Sequence, residues 1–374
     1  MRPTVATVDL GAIAHNVAAL AERAGDAIFC AVVKADAYGH GAVASARTAV
    51  EAGAQWLAVA LVEEGVELRR AGLDVPILLL SEPRPPEMIE VVEHDLRPTV
   101  YSGEGFAAAA AAAAGRGERL AVHLKVDTGM HRVGARPEDV AMLARAIVDK
   151  PALDLEGLWT HCALADEPER DTTDRQIDLF DAVLAELADE GIVPPITHVG
   201  NSAVLLAHPR GLRDLVRVGI AVYGLPPVRG FDGGVDLQPA MRLTSAVSMV
   251  KVVAAGEGVS YGLRHTFSRD TVVATVPIGY ADGVRRSYSR FGGQVLIRGR
   301  RRPVVGVVTM DQLMVDCGPP GDPAADAVAT ADEVVLIGEQ DGETIGAVDV
   351  AEVLGSIAYE VVCDVGRRVR RVYR

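Results

Sequence analysis

Eight short apolar runs, the first seven each followed by a stretch able to form a helix, fill the chain up to about residue 230. The runs lie at 28–33, 57–61, 76–80, 98–101, 120–126, 155–160, 196–199 and 215–218, and several are rich in β-branched residues. Between them come segments such as 42–52, 62–71, 138–148 and 174–190, the last two long and clearly amphipathic. Such alternation builds parallel sheets, because a parallel crossover needs a helix to carry the chain back. Eight repeats over roughly 200 residues point to a parallel (β/α)8 barrel of the TIM type. A doubly wound sheet is the rival. The GxGxxG fingerprint is absent after the first run, which weakens that rival without removing it.

Beyond Pro239 the runs change character. Those at 245–253, 272–278, 294–297, 303–308, 312–316 and 333–337 are short, β-branched and separated by Gly, Pro and Asp turns, the pattern of an all-β domain. The stretch 226–239, with Gly230, Gly233 and Gly234, marks the boundary. The sequence therefore predicts a barrel over 1–235 and a separate β domain over 236–374, a length that suits two domains at ~100–250 residues each. The opening segment 2–9 also reads as a strand, and its partner could lie in either domain.

Charge narrows the function classes. A formal net charge of −14 argues against nucleic acid or an acidic membrane as the main partner. Two arginine clusters, Arg298, Arg300, Arg301, Arg302 and Arg367, Arg368, Arg370, Arg371, Arg374, lack aromatic interleaving and read as solvated or interface edges. The longest apolar run, 107–114, falls far short of the ~20 residues of a membrane span. It reads as an alanine helix that Gly115 can cap. Asp9 and the polar residues 4–7 interrupt any signal-peptide core. Cys30, Cys162, Cys317 and Cys363 lack CxxC spacing, so buried reduced thiols, no metal site and a cytoplasmic setting are expected.

Barrel active sites are built past the carboxyl ends of the strands. Lys34 follows the first run; Lys125, Asp127 and Arg132 the fifth; His161 the sixth; His198, Asn201 and Ser202 the seventh; Arg217 and Gly219 end the eighth. Five of eight runs thus deliver polar groups to one rim. A lysine directly after four apolar residues would be partly desolvated, which lowers its pKa and frees the amine to attack an aldehyde. Taken alone, Lys34 suits a snorkelling lysine equally well.

The segment Ala31-Val-Val-Lys-Ala-Asp-Ala-Tyr-Gly-His-Gly41 closely resembles the pyridoxal-phosphate attachment signature of alanine racemases. The resemblance continues, in family order, through Asp127-Thr-Gly-Met-His-Arg-Val-Gly134, His198-Val-Gly-Asn-Ser-Ala203, Val216-Arg-Val-Gly-Ile-Ala-Val-Tyr-Gly224 and Val259-Ser-Tyr-Gly262. Gly279-Tyr-Ala-Asp-Gly283, Met310-Asp-Gln312 and Tyr359-Glu-Val-Val-Cys363 complete it. It implies that pyridoxal 5'-phosphate is held on Lys34 as a Schiff base, and that Lys34 is also the base on the D-side of the substrate. Tyr38, Asn201, Ser202, Tyr359 and the amides of Gly219 and Ile220 match the phosphate grip. Arg217 matches the residue facing the pyridine nitrogen, supported by His198, and His161 the residue beside the ring. Arg132 matches the contact to the phenolate oxygen and substrate carboxylate, and Lys125 a lysine that can be carbamylated to orient it. Tyr261 matches the second base, on the L-side, Met310 and Asp311 the substrate pocket, and Tyr280 its gate.

Racemisation removes a proton from one face and returns one to the other, so two opposed bases are the economical solution. In the family the second belongs to the partner subunit, which implies a head-to-tail homodimer. Free tyrosine titrates near ~10; Arg217 and a protonated His161 are expected to lower Tyr261 by favouring phenolate. An arginine at the pyridine nitrogen cannot readily hand over a proton, so the electron sink is attenuated and transamination suppressed. D-alanine supply for cell-wall synthesis is the implied role. Broad-specificity or serine racemisation stays open. A barrel decarboxylase would carry a carboxylate opposite the ring nitrogen and a glycine-rich phosphate loop. A cofactor-carrier barrel would lack the β domain, and a metal-dependent lyase would need a His/Cys cluster.

Overall fold

The computed structural model describes residues 2–374, which divide into two compact units. The barrel unit holds Ala12–Ala37 and Gly41–Gln238; the β unit holds the residues up to Gly11, Tyr38–His40 and Pro239–Arg374.

After an opening strand, β1 (Val5–Val8), the barrel unit contributes β2 (Ile28–Val32), β3 (Trp56–Val59), β4 (Ile77–Leu79), β5 (Arg97–Val100), β6 (Leu120–Lys125), β7 (Leu153–Trp159), β8 (Ile196–His198) and β9 (Leu215–Val218). All are parallel, in the order β8-β7-β6-β5-β4-β3-β2-β9. Closure comes where Arg217 N donates to Gly200 O (2.9 Å) and Thr197 N to Asp214 Oδ2 (2.8 Å). Covered by helices, the strands are buried on both faces, so β3, β4 and β9 are apolar or buried throughout. The nearly closed eight-stranded barrel carries helices at Ala42–Glu51, Val62–Arg70, Pro137–Val148 and Thr172–Asp189, at the predicted segments.

The alanine-rich helix spans Gly103–Arg116, begun by Ser102 Oγ accepting from Gly105 N (2.9 Å). Its end differs from expectation. Gly115 lies inside the helix, and Gly117, at φ 71°, takes the left-handed closing position.

In the β unit, β10 (Met241–Ala246), β11 (Met249–Val253), β12 (Gly258–Val259), β13 (His265–Thr266), β14 (Thr271–Val276), β15 (Gln294–Ile297), β16 (Arg300–Val305), β17 (Leu313–Gly318), β18 (Glu333–Gln340), β19 (Glu343–Ile345) and β20 (Arg370–Tyr373) follow in chain order. The large sheet runs β11-β14-β17-β16-β15-β18-β10-β1-β20, with β19 added to β18. The opening strand lies here, antiparallel to β10 and parallel to β20. The run at 245–253 is two strands, because Val247 N donates to Asp332 O and Ser248 N to Thr275 O, sending its halves to different partners. Val253, Val259, Phe267, Val273, Val305 and Met314 form one core cluster.

Two side chains depart from the expected pattern. Arg302 is buried, not solvated: its guanidinium donates to Cys317 O and to Ala324 O (2.7 Å), tethering strand to loop. Cys30, Cys162 and Cys317 are buried as expected, but Cys363 is exposed, on the outward side of the Ala358–Cys363 helix.

Candidate active site

Lys34 stands two residues past β2, half-buried, at the start of a turn that sequence reading did not foresee. Ala35, Asp36, Ala37 and Tyr38 all have φ between 53° and 54°, a left-handed turn made without glycine. Each such residue costs about 1–2 kcal/mol, so the surroundings must impose it. Glu64 does so from the first turn of the Val62–Arg70 helix that follows β3, accepting from Ala35 N (2.6 Å), Ala60 N (2.8 Å) and Leu61 N (3.1 Å). Asp36 closes the far end, its carbonyl accepting from Gly41 N (2.8 Å) and its carboxylate from Ala42 N (2.7 Å).

Arg217, on β9, is held from several sides. It donates to His198 Nδ1 (2.7 Å), Thr160 O (2.9 Å) and Val199 O (3.1 Å), with His161 Nδ1 at 3.4 Å. Burial pushes its pKa down to about 10, so it stays charged at neutral pH. Lys125, ending β6, is also buried, its ammonium 4.3 Å from the Trp159 ring centre, while Arg217 lies 4.5 Å from the same centre. Burial first, then Arg217, Arg132 and Lys34, push Lys125 down to about 7. Trp159, unremarked in the sequence, is thus shared by two cations.

Burial, then the charges of Arg217, Lys125, Arg132 and Lys34, lower His161 well below the ordinary imidazole range. It is neutral at pH 7. The expectation of a protonated His161 fails first because the ring is buried and then because cationic groups surround it. Arg132 is exposed, on a loop that folds back through Asp127 N to Ala135 O and Ala135 N to Lys125 O, both 2.8 Å. Asp127 Oδ1 gathers Gly129 N, Met130 N and His131 N at 3.0–3.1 Å, which sets the loop's turn.

At β8 and β9, Asn201 Oδ1 caps the Ser202–Ala207 helix by accepting from Val204 N (2.9 Å). Ser202 Oγ accepts from Gly219 N (3.0 Å), which leaves the seryl proton free to donate. The Gly219 amide is therefore spent on Ser202, and Ile220 opens the next turn, Ile220–Tyr223. A hydroxyl and a turn's leading amide, beside a rim with Lys34, Lys125, Arg132 and Arg217, make a donor set that fits a phosphate monoester, and Lys34 supplies an amine for an aldehyde.

In the β unit, Tyr38 and Tyr359 have ring centres 6.1 Å apart. They meet because Gly39 lies tight on the Ala358–Cys363 helix, where a Cβ would stand 2.3 Å from Val362 O. Tyr261 is 72% exposed, in the turn that joins β12 to β13. Its neighbour Ser260, at φ 65°, is pinned by a bond to Val307 O (2.6 Å). Tyr280 and Met310, both exposed, are joined through Tyr280 N to Thr309 O (3.0 Å) and Ala281 N to Met310 O (3.1 Å). Asp311 pairs with Arg368 at 2.7 Å.

The fold and site together define a two-domain barrel enzyme whose rim lysine and cationic surround suit a phosphorylated aldehyde cofactor. Two family models match, "Alanine racemase, N-terminal domain" over residues 8–227 and "Alanine racemase, C-terminal domain" over 240–373. An alanine racemase of Symbiobacterium thermophilum is 48% identical over 373 residues, spanning 100% of this chain and 97% of that protein. Among solved structures, alanine racemase from D-cycloserine-producing Streptomyces lavendulae matches at TM-score 0.93 and 39% identity, covering 100% of this chain and 97% of that one. The Bacillus anthracis alanine racemase with bound L-Ala-P matches at TM-score 0.93 and 38% identity, covering 100% and 95%. The chain belongs to the alanine racemase family. Its β2–β9 barrel and β unit are that family's architecture.

Proposed function

We propose that the enzyme interconverts L- and D-alanine by two-base proton transfer, supplying D-alanine for cell-wall synthesis in the cytoplasm. The observation that supports it most is the grouping of Lys34, Lys125, Arg132, His161 and Arg217 at one barrel rim in a chain of this family. Pyridoxal 5'-phosphate, when bound, supplies the electron sink that makes the substrate's α-proton labile. Lys34 holds it. Ser202, Asn201, Ile220, Gly219, Tyr38 and Tyr359 form the phosphate grip, with Gly219 acting through Ser202.

Arg217, a permanent cation, would stand at the ring nitrogen of a bound cofactor, where it would disfavour protonation of that nitrogen and so weaken the sink. His161, being neutral, would lie beside the ring of a bound cofactor without adding charge. Arg132 takes the substrate carboxylate. Lys125, half neutral near pH 7, is set to add carbon dioxide, and the resulting carbamate would turn a cation among cations into their counter-ion. Lys34 Nζ then moves the proton on the D-side and Tyr261 of the partner subunit the one on the L-side, in a head-to-tail homodimer. Tyr280, Met310 and Asp311 narrow the pocket toward a methyl side chain.

The test is circular dichroism of single-enantiomer amino acids. Either alanine enantiomer should decay to zero ellipticity with wild-type enzyme and stay constant with Lys34→Ala. A signal from L-alanine that persists, or one lost only for L-serine, would refute the assignment.

A further inference from the structure

Five neighbouring barrel strands each place one side chain in a continuous chain of polar contacts ending on Arg217. From β9, Arg217 Nη1 donates to His198 Nδ1 on β8 at 2.7 Å. His198 Nε2 meets His123 Nδ1 on β6 at 2.8 Å. His123 Nε2 meets Glu156 Oε2 on β7 at 3.1 Å, and Arg97 Nε on β5 lies 3.2 Å from the same oxygen. Both imidazoles are fully buried.

The two ends fix every proton between them. A guanidinium only donates, so His198 Nδ1 is bare and its proton sits on Nε2. His123 Nδ1 must then accept, which puts its own proton on Nε2, facing a carboxylate that only accepts. A second proton on either ring would bring two N–H groups face to face. Burial pushes both rings below the ordinary imidazole range, in the same sense.

The packing is built around these rings. His198 stacks on Trp159 at 5.4 Å and 8°, and Trp56 presents its edge to His123 at 5.6 Å. Gly157, the register partner of His123, makes the space, since a Cβ there would stand 2.2 Å from His123 Nδ1. The β6–β7 register also shifts between Val122 and His123. Of these residues only His198 stood out in the sequence.

We propose that His123 and Glu156 are positioning residues for the racemisation, locking His198 in its Nε2–H tautomer so that its bare Nδ1 fixes the guanidinium of Arg217. The effect on rate rests on Arg217 facing the cofactor's ring nitrogen; the tautomers do not. The test is imidazole 15N spectra of [15N]histidine-labelled holoenzyme, alongside kinetics. Wild type should show neutral Nε2–H forms at His123 and His198. Glu156→Leu should give mixed tautomers at both and lower kcat about tenfold or more with little change in KM, the scale of lost outer-shell partners. Glu156→Gln keeps an acceptor for His123 Nε2–H and should restore both the tautomer and most of kcat.

An Nδ1–H signal at His198 in wild type would overturn the relay whatever the variants do, including a leucine variant that does not fold. So would a fall in kcat with unchanged tautomers, which leaves the racemase reading intact. Tautomers that shift with kcat unchanged would overturn the positioning role.

Discussion

At the scale of single residues, charge crowding explains more than any one contact. Lys125 has a folded pKa near 7, whereas an unfolded lysine titrates near ~10.4. Between those values the unfolded chain binds more protons, so the stability Lys125 contributes rises with pH across that window and is least below it. In carbon-dioxide-free buffer, the thermal midpoint of wild type relative to Lys125→Met should therefore climb from about pH 7 to about pH 9. Bicarbonate should raise the wild-type midpoint at pH 7 and leave Lys125→Met unmoved; equal responses would exclude carbamylation. Gly39 is constrained by space and by conformation, at φ 81° with Val362 O 2.3 Å from any Cβ. Gly39→Ala should cost about 1–3 kcal/mol in denaturant unfolding and separate Tyr38 from Tyr359. A variant as stable as wild type would contradict that packing. Lys34, Arg217 and Tyr261 were visible in the sequence because each sits in a motif. Trp159, His123 and Glu156 were not, because a buried strand residue announces nothing until its neighbours are known.

Elements were legible where burial is uniform. Barrel strands such as β3 and β4 are apolar and buried throughout, and β-branched runs between helices admit few other readings. The split of 245–253 into β10 and β11 was hidden, since every residue suits a strand and only the pairing partners break it. The left-handed turn 35–38 was hidden more deeply. Its alanines and tyrosine favour right-handed backbone, and the acceptor that imposes the turn, Glu64, lies 29 residues away from Ala35. Removing it should show the dependence. Glu64→Ala deprives three N–H groups of their acceptor; two are exposed and one is part-buried, so the cost should be that of ordinary lost hydrogen bonds, about 0.5–1.5 kcal/mol each at most. Cofactor retention on dilution, followed by absorbance, should fall with the thermal midpoint. A lowered midpoint with unchanged retention would mean the turn's shape does not matter to Lys34.

For the whole molecule, one chain does not contain the proposed chemistry. Tyr261 is 72% and Leu263 62% exposed, side by side at the tip of the β12–β13 ribbon, an unusual place for two large apolar side chains in a lone subunit. No sequence pattern states that a second subunit covers them; family resemblance alone carried that expectation. If Lys34 and the partner's Tyr261 are the two bases, each site draws on both chains. Lys34→Ala and Tyr261→Phe homodimers, each inactive alone, should regain activity when unfolded together and refolded as a mixture. Random pairing makes half the dimers mixed, each with one intact site of two, so recovery should approach about a quarter of wild type. Recovery at that level is the predicted result, and a mixture as inactive as its parents would contradict the two-base, two-subunit account.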